Sequence, residues 1–229
     1  MELYGKQSKS IPQKILIHVI EILLLYLSFW ILFQKGGDFF ADKLHISNAA
    51  ENVTRRNIIF IFNIVIFTRI GYAMLFLLKR KIPWEESIGV PMAFAVYYIG
   101  FSLLVLPSSG KTDILDYLGI AVFAVGCIIN TLSEILRAVW KKDSSNKGKL
   151  YTGGLFAYSR HINYFGDLLW ATGYAIITGN IYAAAIPVLL FFFFAFFNAP
   201  KLDKHLKNKY GADYDKYAAK TKMLIPFIY

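Results

Sequence analysis

The stretch from Leu150 to Asp167 places a glycine pair (Gly153-Gly154), a cation (Arg160), an imidazole (His161), an amide (Asn163) and a carboxylate (Asp167) at a junction between two strongly apolar segments. Polar density of this kind at a membrane boundary marks a site for a polar ligand. The alternative is a set of interfacial anchors, because Arg and His flank hydrophobic helices for that reason alone. A second group lies upstream, where Asn130, Ser133, Glu134 and Arg137 fall at i, i+3, i+4 and i+7 and so share one helical face over two turns. That face lines a wet cavity or, on the other account, carries a local Glu134–Arg137 pair with Arg137 reaching back to the interface. A helix starting near Ile162 puts Asn163, Asp167, Trp170 and Tyr174 at i, i+4, i+7 and i+11, a second stripe that converges on the same end.

The elements that must hold these residues are membrane helices. Of the 229 residues 56% are hydrophobic and 17% aromatic, well above the level of a soluble domain. Apolar runs long enough to span a bilayer, roughly 20 residues each, occupy 14–34, 57–78, 88–106 and 114–136, and a fifth run, 163–198, is interrupted at Thr178-Gly179-Asn180 as two helices joined by a turn would be. The fold class is therefore all-α, a polytopic membrane bundle of about six transmembrane helices in a single domain, 1–229. The tail from Pro200 carries Leu206, Tyr210, Tyr214 and Tyr217 at helical spacing among charges, so it predicts one or two amphipathic surface helices.

Charge orients the bundle. With the N-terminus inside, 19 of the 25 Lys and Arg residues, from Lys6 through Lys79, Arg80, Arg137 and Arg160 to Lys222, fall in segments on the cytoplasmic side, five fall opposite, and Arg69 lies within a span. Both termini and the 150–167 junction are then cytoplasmic. The net charge of +10 is distributed around apolar segments rather than along a groove, which points to anionic lipid headgroups and not to nucleic acid. The single cysteine, Cys127, rules out a disulfide framework, and the four histidines are too scattered for a metal set. No removable signal peptide is read at the N-terminus, and the Asn-Val-Thr triplet at Asn52 carries no argument. Nothing points to an oligomer, and a monomer is compatible with the chain.

Ionisable groups within spans are functional candidates by default. Glu21 and Arg69 fall at matching depths and are expected to pair, with His18, three residues before Glu21, joining them or packing. Glu85 and Glu86 follow Pro83-Trp84 at a helix entrance, where acids complement the helix dipole.

Taken in order, Gly153-Gly154-Leu155-Phe156, then Arg160-His161-Ile162-Asn163-Tyr164-Phe165-Gly166-Asp167, Trp170, Gly173 and Tyr174, resemble the C-terminal region of steroid 5-alpha-reductases and of delta-14 or delta-7 sterol reductases. The tail, Lys209-Tyr210-Gly211, Tyr214, Tyr217 and Ile225-Pro226-Phe227-Ile228-Tyr229, is similar to that group as well. A sister group, the isoprenylcysteine carboxyl and phospholipid methyltransferases, shares an Arg-His-Pro-x-Tyr-x-Gly element. Asn163 and the acid after Gly166 match the reductase pattern, and the Glu-Glu pair usual in the methyltransferases is replaced by Lys201-Leu202-Asp203. Ile162 stands where most members of both groups carry proline.

The resemblance implies an NADPH-dependent reductase of a conjugated C=C bond in a lipophilic substrate; the alternative is an S-adenosylmethionine-dependent lipid or isoprenylcysteine methyltransferase. It assigns the cofactor to region 111–229, with Asn163 at the nicotinamide amide, Asp167 and Tyr164 ordering that end, and Asn130, Glu134 and Arg137 approaching from the preceding helix. Arg160, His161, Lys201 and His205 are its candidates for phosphates and ribose, and Tyr214 and Tyr217 would close the site. Region 1–110 is left for the substrate. There a Tyr and an acid hold the enone carbonyl in the steroid reductases, and the candidates here are Tyr72, Glu85, Glu86 and Tyr98. A protein that keeps the fold and binds lipid without catalysis is the third reading.

Overall fold

The computed structural model describes residues 8–48, 53–109 and 111–229, so Lys6 and Asn52 lie outside the described residues. Among these the secondary structure is helical, with one isolated parallel bridge between Ser159 and Lys222. The helices are α1 (Ile11–Phe33), α2 (Gly36–Leu44), α3 (Val53–Tyr72), α4 (Trp84–Ala95), α5 (Phe101–Leu104), α6 (Ile114–Trp140), α7 (Ile162–Thr178), α8 (Ala185–Phe193), α9 (Ala199–Tyr210) and α10 (Ala212–Lys220). Three π turns interrupt or extend them: Ala73–Leu77 after α3, Val96–Gly100 between α4 and α5, and Phe194–Asn198 between α8 and α9. The second lies five residues beyond Pro91, inside α4, where proline's missing N–H already loosens the hydrogen-bond ladder.

Among the described residues five helices are long and apolar enough to cross a membrane: Ile11–Phe33, Val53–Leu77, Trp84–Leu104, Ile114–Trp140 and Ile181–Tyr210. The remaining span of the sequence reading, its fifth in chain order, is α7, whose 17 residues sit at the short limit of the roughly 17–25 a crossing needs. It ends where the sequence breaks, at Thr178; Gly179 adopts φ 60°, a conformation glycine enters without the Cβ penalty. Large apolar side chains such as Leu23, Phe76, Leu189 and Phe197 are exposed along the spans, as lipid-facing positions are.

The chain divides into two compact units, 1–119 with 174–184, and 120–173 with 185–229. The first holds a fully buried polar chain. Tyr174 donates its hydroxyl to Asn63 Oδ1 (2.8 Å), Asn63 Nδ2 donates to Ser28 Oγ (2.8 Å), Ser28 and Ser102 share a hydrogen bond (2.9 Å), and Ser102 donates to the Tyr98 carbonyl. Phe101 stacks on Tyr174 at 4.7 Å. Elsewhere in this unit Arg55 grips Asp116 with two hydrogen bonds (2.7 and 3.0 Å) and Ser108 with a third (2.7 Å). Each partner is satisfied, as a buried ion pair requires. Lys14 donates to the Met74 and Leu78 carbonyls, placing a cation against acceptors at the end of the first π turn.

The second unit is organised by two glycines. A Cβ on Gly126 of α6 would lie 2.6 Å from the Gly166 carbonyl oxygen, and one on Gly166 of α7 would lie 2.7 Å from Asn130 N and 2.8 Å from Gly126 O. The two backbones touch, the small-residue mode of helix association in membranes. Leu168, Phe194, Ala195 and Leu224 form an apolar cluster beside this crossing's helix α7.

Candidate functional site

The glycine crossing brings the two polar stripes into one network. Asn130 Nδ2 donates to Asp167 Oδ1 (2.7 Å) and to the Asn163 carbonyl (3.0 Å), and Trp170 Nε1 donates to the same Asp167 oxygen (2.7 Å). Asn163 Nδ2 donates to Glu134 Oε1 (3.1 Å), whose other oxygen takes the Arg137 guanidinium. Ser133 turns inward and donates to the Asn130 carbonyl (2.8 Å). Of the two readings of the upstream stripe, the local pair is formed: Glu134 bonds Arg137, and the pair is joined to Asn163. Asn163 commits one Nδ2 hydrogen to Glu134, which leaves its Oδ1 and the second hydrogen for other partners.

A second group is built on the loop before α7. Arg160 donates to Asp203 Oδ2 (2.9 Å) and to the carbonyls of Ala218 and Thr221, and His161 Nε2 meets the other oxygen, Asp203 Oδ1 (2.8 Å). Tyr214 is hydrogen-bonded to both Asp203 and Arg160. Its phenol is pushed above the ordinary tyrosine range, first by burial and then by the hydrogen bond to Asp203; burial does the same to Tyr217. Tyr217 donates to the Phe156 carbonyl (2.6 Å), and the Phe156 ring lies 5.3 Å from the Arg137 guanidinium, so Phe156 links the two groups. Tyr164 stacks between His161 (5.3 Å) and Phe194 (4.5 Å). The tail is stitched down further by Arg160 N to Lys222 O (2.9 Å), His161 N to Met223 O (3.0 Å) and Ser159 Oγ to Leu224 O (2.9 Å).

Of the residues expected at phosphates, Arg160 and His161 both bond Asp203, a partner more than forty positions away that the sequence offered only as the place of a missing Glu pair. Arg160 Nε remains buried without an acceptor. Lys201 is exposed and His205 half-buried on α9. Ile162, in the usual proline position, is buried at the first position of α7.

In the first unit Tyr72 is 39% exposed, and its ring lies tilted against Phe76 with centroids 5.3 Å apart. Glu85 is exposed, and Glu86 is held by both terminal nitrogens of Arg80. Tyr98 is fully buried on the Val96–Gly100 π turn, and its hydroxyl has no partner. The expected hydrogen-bonded pair of Glu21 with Arg69 is not formed: Glu21 is fully buried, and neither carboxylate oxygen makes a hydrogen bond. The physical reason is that spacing sets depth but not azimuth; counted from the helix end, the residues down to Arg69 cross the Ala73–Leu77 π turn. Glu21, a candidate from the sequence as a carboxyl in mid-span and expected there to pair with Arg69, is instead a buried carboxyl without a hydrogen bond.

The donor set in the second unit fits a nicotinamide dinucleotide: amide and carboxylate groups ordered in one network for a carboxamide, cations at one end for phosphates, and a buried guanidinium N–H without an acceptor.

Comparison with known proteins follows the same region. The family model described as a protein of unknown function, DUF1295, matches residues 88–221. The probable O-methyltransferase ustE of Ustilaginoidea virens is 40% identical over 105 residues, 44% of this chain and 37% of that protein. The 3-oxo-5-alpha-steroid 4-dehydrogenase 2 of Homo sapiens is 30% identical over 123 residues, 54% of this chain and 46% of that protein. A probable protein-S-isoprenylcysteine O-methyltransferase of Oryza sativa subsp. indica is 27% identical over 143 residues, 60% and 74% of the two chains. The chain spans less than half the length of the first two of these relatives.

Proposed function

Because the chain belongs to the DUF1295 family, part of the steroid 5-alpha-reductase family, we propose that it is a membrane-embedded NADPH-dependent reductase. Its substrate is a lipophilic molecule with a C=C bond conjugated to a carbonyl. The observation that carries this reading is the network joining Asn130, Asp167 and Trp170 to Asn163, Glu134 and Arg137. It fixes Asn163, with its acceptor oxygen and a second Nδ2 hydrogen, and a carboxylate one turn apart on α7, so that both the NH2 group and the carbonyl oxygen of a carboxamide can be met.

In this reading Asn163, Asp167 and Asn130 orient the nicotinamide end, with Glu134, Arg137 and Tyr164 beside them. Arg160, His161, Lys201 and His205 serve the phosphates and ribose, and Tyr214 and Tyr217 hold the tail closed. NADPH supplies the hydride when bound. In the first unit Tyr98 and Glu21 act on the substrate: both are buried with unpartnered polar atoms, and a carbonyl oxygen accepting from Tyr98 gives it the partner it lacks. The charge bias puts the 150–167 junction and both termini on the cytoplasmic side, where the soluble cofactor is available.

The second reading, S-adenosylmethionine-dependent methylation, is favoured by the relatives named as methyltransferases. Purified protein in detergent separates the two, because a ligand that binds only the folded state raises apparent stability. NADPH is expected to raise the melting temperature and S-adenosylmethionine to leave it unchanged. Stabilisation by S-adenosylmethionine alone overturns the reductase, and stabilisation by neither supports a lipid-binding protein that kept the fold.

A further inference from the structure

The first unit holds three unpartnered proton-carrying groups in succession. His18 Nδ1 sits 2.7 Å from the Lys14 carbonyl; a carbonyl only accepts, so Nδ1 carries a proton and Nε2 is the nitrogen that can gain or lose one. That Nε2 is buried with no hydrogen-bond partner. One turn deeper on the same face of α1, at i+3, both oxygens of Glu21 are buried with none. The π turn that packs against α1 presents Tyr98, whose hydroxyl is in the same condition. Each unsatisfied buried group costs stability, so three in one region mark a function that the fold maintains against its own stability. Gly71 shapes the spot for the imidazole, since a Cβ there would come 3.2 Å from His18 Nε2.

Of the other charged side chains on the elements packed against α1, Asp38 accepts from Asn48, Arg55 pairs with Asp116, Arg56 donates to the Leu32 carbonyl and to Asn48, and Asp42 and Lys43 are exposed. Glu86 is paired with Arg80, Glu85 and Tyr72 are exposed, and Arg69 has interactions of its own. On α1 itself Lys14 is committed to the carbonyls of Met74 and Leu78. His18 therefore lies between the Lys14 turn, at the end of the unit rich in Lys9, Lys79, Arg80 and Lys81, and the buried Glu21.

We propose that His18, Glu21 and Tyr98 form a proton-supply line, with His18 Nε2 as the relay that returns a proton to Glu21 from the water at the Lys14 end. The proposal rests on the reductase reading. There the C=C π bond breaks, one C–H bond forms at the β-carbon with the hydride of the reduced nicotinamide, and another forms at the α-carbon with a proton drawn from Tyr98 and Glu21. The group left as an anion must regain one proton per turnover inside an apolar unit. His18 takes that proton from water on Nε2 and passes it inward, so the line ends each cycle as it began.

The test is infrared spectroscopy of the full chain in detergent after transfer from H2O to D2O, which follows the carboxylic C=O band of Glu21 without any turnover. Glu21→Gln assigns the band. His18→Asn keeps a donor for the Lys14 carbonyl while deleting the Nε2 position, and His18→Phe is the second variant should the first fold poorly. Exchange of the band at least tenfold slower in His18→Asn than in the wild type is the expected result. Equal exchange rates, or the absence of any band sensitive to Glu21→Gln, overturn the proposal. Stabilisation by NADPH, measured on the same samples, reports separately on the reductase reading: its absence with the exchange difference intact removes the reaction and keeps the line.

Discussion

Replacing Gly166 with alanine asks whether backbone contact is what assembles the site. The added methyl would lie 2.7 Å from Asn130 N and 2.8 Å from Gly126 O, against the 3.4 Å at which ordinary contact begins. Both neighbours are backbone atoms, so no rotamer change relieves the clash, and α6 and α7 must part locally by about 0.7 Å. The Asn130–Asp167 and Asn163–Glu134 hydrogen bonds, 2.7 and 3.1 Å long, would then stretch past the roughly 3.2 Å limit of a good N–H···O bond. Overpacking costs about 1–3 kcal/mol, and each interhelical hydrogen bond lost adds about 0.6 kcal/mol in a membrane setting. Since about 1.4 kcal/mol is tenfold in binding, a lower melting temperature and an NADPH affinity weaker by about tenfold or more are expected. Thermal melts in detergent with an NADPH titration measure both, and Gly89→Ala, where an added Cβ meets nothing within 4 Å, is the control. A Gly166→Ala protein with wild-type melting and wild-type NADPH affinity would refute the reasoning.

Three further outcomes are expected. Asn163→Ala removes the Oδ1 acceptor and should weaken NADPH binding about fivefold while leaving the fold intact, since one hydrogen bond at a partly open position is worth about 1 kcal/mol; an unchanged affinity by titration removes its nicotinamide role. Asp203→Ala leaves Arg160 and His161 without their shared counter-charge and should lower the melting temperature by the equivalent of about 3 kcal/mol, with limited proteolysis reporting release of the tail; an intact tail contradicts the clasp. Tyr214 and Tyr217 hold their protons above the ordinary value of 10, whereas an unfolded tyrosine loses its proton there. The unfolded state then binds fewer protons than the folded one, so their contribution falls as pH rises above about 10. Melts at pH 9 and 11 should show a drop that is smaller in the Tyr214→Phe and Tyr217→Phe double variant.

The helices were legible because apolar length is a local property: the break at Thr178-Gly179-Asn180 and the stripes 130–137 and 163–174 follow from composition and from 3.6-residue spacing. What the spacing could not give was rotation about each axis. The Glu21–Arg69 pair failed on that point, because matched depth says nothing of facing direction and π turns shift the register of every residue beyond them. Partners distant in sequence were equally hidden. Arg160 and His161 offered cationic chemistry suited to a phosphate, and nothing near them in the chain announced that Asp203 would take both. The glycines Gly126 and Gly166 were visible as residues but not as a contact, since closeness of two backbones is a property of the pair.

Arg160 does more than pair with Asp203. By donating to the carbonyls of Ala218 and Thr221 it acts as a borrowed C-terminal cap for α10, supplied from outside that helix. A phosphate that drew the guanidinium towards itself would uncap α10, and a helix end that frays would in turn free the guanidinium. The two events share one free energy and must be reciprocal. The helicity of this last turn is then a readout of anion binding that requires no label, and salt should loosen it before it unfolds anything else.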